Sequence, residues 1–189
     1  MRVLLLIGAI LIGLWPGERA LALPQWLGES GLVPAPSGFQ SYCRRTPAAC
    51  ADPTGSPGVV RMSDAAIRQL EKYNQKWNSR IRYRPDGQAY GQSDYWVAAA
   101  TTGDCEDIAL AKRAALVAGG WPAAALWLAI GRDGEGTAHV VLVLRTDRGD
   151  LVLDNRLDRV LLWHQAALHW IARQVPGDSR HWRRLEVRS

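Results

Sequence analysis

Residues 103–122 read Gly103-Asp104-Cys105-Glu106-Asp107-Ile108-Ala109-Leu110-Ala111-Lys112-Arg113-Ala114-Ala115-Leu116-Val117-Ala118-Gly119-Gly120-Trp121-Pro122. Ile108, Ala109, Leu110, Ala111, Ala114, Ala115, Leu116 and Val117 make this stretch apolar over most of a helical circumference. That predicts a central, buried helix opening at Asp104 or Cys105 and running to about Ala118. Gly119-Gly120 ends it, and Pro122 prevents continuation. A helix buried on most sides needs a sheet to pack on, and the chain supplies one immediately downstream.

Ala124–Ile130, Ala138–Arg145 and Leu151–Asp154 are short apolar runs. Turn-forming stretches separate them, Gly131 to Gly136 and Asp147 to Asp150, so the strands are expected as antiparallel neighbours. Val160–Trp163 adds a further strand, and 164–175 is expected as a final helix. Upstream, Ser63 is placed to cap a helix with Asp64 in its first turn. Ile67, Leu70, Asn74 and Trp77 form its inner stripe, with Asn74 a polar interruption. Arg84-Pro85-Asp86-Gly87 reads as a turn. The fold class is therefore α+β, with one buried helix packed on an antiparallel sheet over residues 61–189.

Residues 23–60 are rich in Pro, Gly and Ser and predict an extended N-terminal arm without periodic structure. Cys43 and Cys50 flank a turn at Thr46-Pro47, where a disulfide would contribute roughly 2–3 kcal/mol. Residues 1–22 read as a secretory signal: Arg2, an apolar core from Val3 to Trp15, and Ala20-Leu21-Ala22 as a cleavage site. Export to a periplasmic or extracellular location would let that disulfide persist. The chain has 189 residues, a formal charge of +5, 48% hydrophobic and 22% charged residues. That composition excludes a disordered chain or a collagen-like repeat. Three cysteines cannot make a disulfide-dense scaffold. The basic run Arg180-His181-Trp182-Arg183-Arg184 reads as a solvated end, and nucleic-acid binding is not expected of an exported chain.

With Cys43 and Cys50 paired, Cys105 is left as a core residue, an intermolecular link or a reactive thiol. A helix start carries unpaired N–H groups and the positive end of the dipole, which stabilise a thiolate. His139 begins the second strand and Asp154 ends the third, so the two can be neighbours facing that helix terminus. Cys–His–Asp is the pattern for a nucleophile, its base and the acid that orients the base. The backbone N–H of Cys105 or Glu106, or the indole N–H of Trp96, could receive an oxyanion. Asp104, Glu106 and Asp107 are carboxylates flanking the sulfur, and unneutralised they would raise its pKa. Trp121, Trp127, Trp163 and Trp170 read as packing.

Asp94-Tyr95-Trp96, then Gly103-Asp104-Cys105-Glu106-Asp107, Ala138-His139-Val140-Val141-Leu142 and Leu151-Val152-Leu153-Asp154-Asn155 resemble the bacterial transglutaminase-like cysteine peptidases. The segment from Tyr42 to Cys50 resembles the two-cysteine N-terminal segment of many members. The resemblance runs over about residues 38–185. It implies a papain-like fold, Cys105 as nucleophile, His139 as base and Asp154 as orienting acid. It also implies calcium at Asp104 and Glu106, where hard oxygen ligands suit that ion. LapG-type members are periplasmic proteases that clip large surface adhesins near their N-termini and release biofilm. The resemblance thus implies a protein substrate, such as an adhesin, and a regulatory receptor. An acyl transferase or a non-catalytic binding module on the same fold is the alternative.

Overall fold

The computed structural model describes residues 26–51, 58–175 and 178–186. The expected signal at 1–22 lies outside them. In chain order the elements are β1 (Glu29–Val33), α1 (Ser37–Arg45), α2 (Asp64–Arg80), β2 (Arg82–Tyr83), α3 (Asp86–Ala89), β3 (Thr102–Gly103) and α4 (Cys105–Ala118). They are followed by β4 (Leu126–Arg132), β5 (Ala138–Thr146), β6 (Gly149–Leu153), β7 (Leu161–Leu162), β8 (His169–Val175) and β9 (Asp178–Leu185). The main sheet has the order β1-β9-β8-β4-β5-β6-β7, and β2 pairs with β3 in a separate two-stranded sheet.

Strand alternation sends Leu126, Leu128, Val140, Leu142, Leu144, Leu151 and Leu153 into one core with Leu110 and Leu116 of α4. The intervening Trp127, Val141, Val143 and Val152 join Trp163, Trp170 and Leu185 in a second core on the other face. In β5 all but the first and one near-terminal residue are buried, as expected of a strand covered on both faces. The turn from β5 to β6 is tight, with Leu142 opposite Leu153 and Thr146 opposite Gly149. α2 opens as expected, with Ser63 Oγ accepting from Ala66 N–H at 3.1 Å.

The structure corrects four expectations. Residues 164–175 are not a helix: a short 3₁₀ turn at Trp163–Gln165 leads into β8. His169 and Ile171 are outward while Trp170 and Ala172 are buried, a period of two that the helix-forming Ala166-Ala167-Leu168 obscures. The basic end is not a solvated tail but β9, with Trp182 fully buried against Phe39. The 23–60 segment contains a strand paired with β9 and a nine-residue helix, not an extended arm. Arg84–Gly87 leads into α3, with Asp86 buried. The Cys43–Cys50 disulfide is present and ties the last turn of α1 to the 3₁₀ turn Pro47–Cys50.

Candidate active site

Cys105 is the first residue of α4 and is partly buried. The β5 strand passes the helix end, and Val140 N–H donates to Cys105 Sγ at 3.5 Å. The neighbouring His139 places Nε2 2.9 Å from Asp154 Oδ1, with both side chains nearly buried. Nδ1 is then the ring nitrogen left for another partner. Asp154 also accepts from Arg156 N–H at 2.8 Å and from its guanidinium at 3.2 Å. Arg156 reaches Asp133 Oδ2 as well, at 3.2 Å, joining the β4–β5 turn to the acid. Burial opposes ionisation of Asp154, yet the hydrogen bond and charge of His139, with Arg156, hold it well below the usual carboxylate range.

The other side of the sulfur is unbalanced. Asp86, Asp104 and Glu106 bring one carboxylate oxygen each within 4.8 Å of one another. Asp104 is the N-cap residue of α4, but its side chain makes no cap hydrogen bond. Its Oδ2 instead accepts from Asp86 N–H at 3.1 Å. Asp86 Oδ2 accepts from Tyr95 N–H. The second oxygens, Asp86 Oδ1 and Asp104 Oδ1, are buried without a hydrogen-bond partner. Burial first, then the charge of Glu106 and the hydrogen bond to it, push Asp104 up to about 7. Burial also raises Asp86 and Glu106. Three buried carboxylates, two with an orphaned oxygen and none ion-paired to a cation among the described residues, form a donor set that suits a hard divalent ion.

This imbalance acts on the thiol in the direction expected of unneutralised carboxylates. Cys105 Sγ lies 3.0 Å from Glu106 Oε2. Burial, then the charge of Glu106 and the hydrogen bond to it, push the thiol well above its ordinary value, against the Val140 N–H that favours the thiolate. The dipole of one helix end does not outweigh adjacent carboxylates that carry full charges. Asp107 serves a different end: its Oδ1 accepts from Val97 N–H at 2.7 Å, and its Oδ2 from Tyr90 Oη at 3.3 Å. It braces the 97–103 loop against α4. Gly103 permits this closeness, since a Cβ there would lie 2.5 Å from Asp107 Oδ2.

Trp96 is corrected as an oxyanion donor. Its indole N–H donates to Asp94 Oδ1 at 2.7 Å, and its ring packs edge-on to Phe39 in the core. Asp94 also accepts from Ser37 Oγ and Gly38 N–H, so Trp96 belongs to the anchoring of α1. Two residues near the site went unread in the sequence. Asp86 lies 18 residues before Asp104, in a stretch whose Pro-Asp-Gly signals only a turn. Tyr83, paired with Gly103 across the small sheet, is exposed, and burial followed by the charges of Cys105 and Asp104 raises its hydroxyl pKa. Neither carries a local signal, because parallel pairing of β2 with β3 brings both to the helix end. Among the described residues no helix is long and apolar enough to cross a membrane.

Comparison with solved structures finds Legionella pneumophila LapG in a calcium-bound form, 29% identical over 56% of this chain and 63% of that one, with a TM-score of 0.49. An EGTA-treated form is 30% identical over 56% of this chain and 61% of that one, with a TM-score of 0.48. The chain thus spans less than two thirds of either structure's length. A search of curated proteins finds no match. The family model of the bacterial transglutaminase-like cysteine proteinases (BTLCP) matches residues 29–189, from β1 through the sheet and the Cys105 helix, and the chain belongs to that family.

Proposed function

We propose that the protein is an exported cysteine endopeptidase in which Cys105 is the nucleophile, His139 the base and Asp154 the acid that orients the base. The observation that carries this reading is the meeting of three elements at one helix end: Cys105 Sγ, the Val140 N–H beside it, and the His139–Asp154 hydrogen bond. The thiol proton passes to His139 Nδ1 as sulfur attacks the scissile carbonyl, and Asp154 steadies the imidazolium through Nε2. The first N–H groups of α4, on Cys105 and Glu106, are the simplest donors to the oxyanion. Collapse breaks the C–N bond, and the amine leaves with the proton from His139. Water then gives a proton to His139, attacks the thioester and releases the acid, restoring the thiol.

Asp86, Asp104 and Glu106 would hold calcium, which supplies positive charge to offset the carboxylates beside the sulfur. The substrate in this reading is an exported protein; the resemblance favours a large surface adhesin, and an inner-membrane receptor as regulator.

Fluorescein-labelled casein, in calcium, is a first test. Cleavage that falls at least about 10³-fold in Cys105→Ala and His139→Ala supports the assignment. Incorporation of a labelled amine into a glutamine donor without new N-termini would move it to acyl transfer, which the same three residues can serve. Equal behaviour of wild type and both variants in each assay would leave a binding module. The host's exported adhesins, with and without chelator, test the substrate: cleavage only in calcium supports it, and intact adhesin in both removes it.

A further inference from the structure

Two polar side chains are unused by that chemistry, although each interrupts an apolar surface. Asn74 breaks the inner stripe of α2, and Lys112 lies in α4, the most apolar helix among the described residues. Both are essentially fully buried. Methionine at 112 would fill a similar volume without the cost of removing an ammonium group from water. That cost is visible in the direction of its titration, since burial lowers Lys112 to about 7.

Lys112 follows Cys105 by seven residues, two helical turns, and so shares its side of α4. Its Nζ donates to Asn74 Oδ1 at 2.7 Å and to the carbonyl of Leu153, the residue before Asp154, at 3.4 Å. Holding Asn74 Oδ1 fixes which end of that amide faces the β6–β7 connection. Asn74 Nδ2 then donates to the carbonyls of Leu157 at 2.6 Å and Asp158 at 3.0 Å. One turn further along α2, Asn78 Nδ2 donates to the carbonyls of Asp154 at 3.2 Å and Leu157 at 3.0 Å. The segment between β6 and β7 has no ladder partner of its own, yet three of its carbonyls are taken by two side chains of α2, and Lys112 of α4 takes that of Leu153 at the end of β6. The charged groups that act on Lys112 are Asp154 and Asp158.

We propose that Lys112, Asn74 and Asn78 are positioning residues for Asp154: they fasten segment 153–158 to the helix that begins at Cys105, so that nucleophile and acid ride on one rigid body. This rests on the peptidase reading for its consequence in turnover. The geometric claim, that the three side chains set the His139–Asp154 contact, stands without it.

The test is a double-mutant cycle with an independent spectroscopic readout. On labelled casein, Lys112→Met is expected to lower kcat by ten- to roughly a hundredfold with KM changed less than about twofold. In the Asp154→Asn background the further loss should shrink to about twofold or less, since Lys112 acts through that residue. Equal losses in both backgrounds would make Lys112 a plain core residue and overturn the proposal. In proton NMR of selectively labelled protein, the imidazole proton shared by His139 Nε2 and Asp154 should move upfield or broaden in Lys112→Met. Asn78→Ala, at a partly exposed position, should do the same should Lys112→Met fail to fold. An unmoved resonance in a folded variant would overturn the proposal. A wild type that cleaves nothing while this resonance still responds would sink the peptidase reading and leave the positioning intact.

Discussion

Two buried acidic regions flank Cys105, and they are built in opposite ways. Asp154 has a partner for each oxygen: His139 on one, Arg156 on both, and Lys112 nearby as a second cation. Asp86, Asp104 and Glu106 have backbone amides and each other, two orphaned oxygens, and no ion-paired cation among the described residues. The first region is held ionised by the protein itself. The second is pushed toward protonation and carries the thiol upward with it. One acid is paired within the described residues, whereas the other three are the donor set that calcium would occupy in the proposed reading.

The sharpest way to break the complete side is Asp154→Asn, which keeps the shape and removes the charge. Turnover of labelled casein should fall by about 10³–10⁴-fold, as expected when an orienting acid no longer fixes its histidine. Retention of more than a tenth of wild-type turnover would remove Asp154 from its role. On the incomplete side, calcium at a hundredfold above its Kd should add about 2.7 kcal/mol to stability, by mass action. For a domain of this size that is roughly 5–10 °C in Tm. Differential scanning calorimetry should show the gain vanish with EGTA and in Asp86→Asn/Asp104→Asn; an equal gain in the double variant would refute these ligands.

Gly103→Ala probes the scaffold of the incomplete side. Its new Cβ would meet the Asp107 carboxylate at 2.5 Å, so a loss of about 1–3 kcal/mol is expected in urea denaturation. The smallest effect concerns Arg156, which is partly exposed and pairs with Asp154 at 3.2 Å. Arg156→Gln should cost under about 1 kcal/mol at low salt and less at high salt. The pH sign follows from Asp154, whose folded pKa lies below its unfolded value. The stability it contributes is present above about pH 4 and is lost as pH falls through the folded pKa. Losing Arg156 lessens that depression, so the acid-side loss of the urea midpoint should start at the same pH, be smaller, and level off at a higher pH than in wild type. Coincident curves would show that Arg156 does nothing for the acid.

What could be read in the sequence follows from how far each signal reaches along the chain. α4 was legible to within about a residue at each end, since Asp104 and Gly119-Gly120 mark its ends locally. The β4–β5–β6 meander was legible because its turns are short. Asp154 beside His139 followed from that meander. β8 and β9 were not legible: each pairs partly with a distant element, and the Ala166-Ala167-Leu168 lead-in imitates a helix. Asp86 was unreadable for a related reason, as only the β2–β3 pairing brings it to Asp104. The Asn74 interruption was visible as a defect in a stripe, but its use required knowing that Lys112 and the 153–158 segment would meet it. Trp96 shows the converse, a donor of suitable type whose hydrogen is already spent on Asp94.

The Cys43–Cys50 bridge has a practical corollary, for it leaves a single sulfhydryl in the whole polypeptide. A colorimetric thiol count on unfolded protein therefore doubles as a census of intact Cys105: one equivalent per molecule for a sound preparation, and a fraction when some are oxidised. Strong reductant, added to protect that thiol, would open the staple and carry the tally towards three, so the census holds only without it.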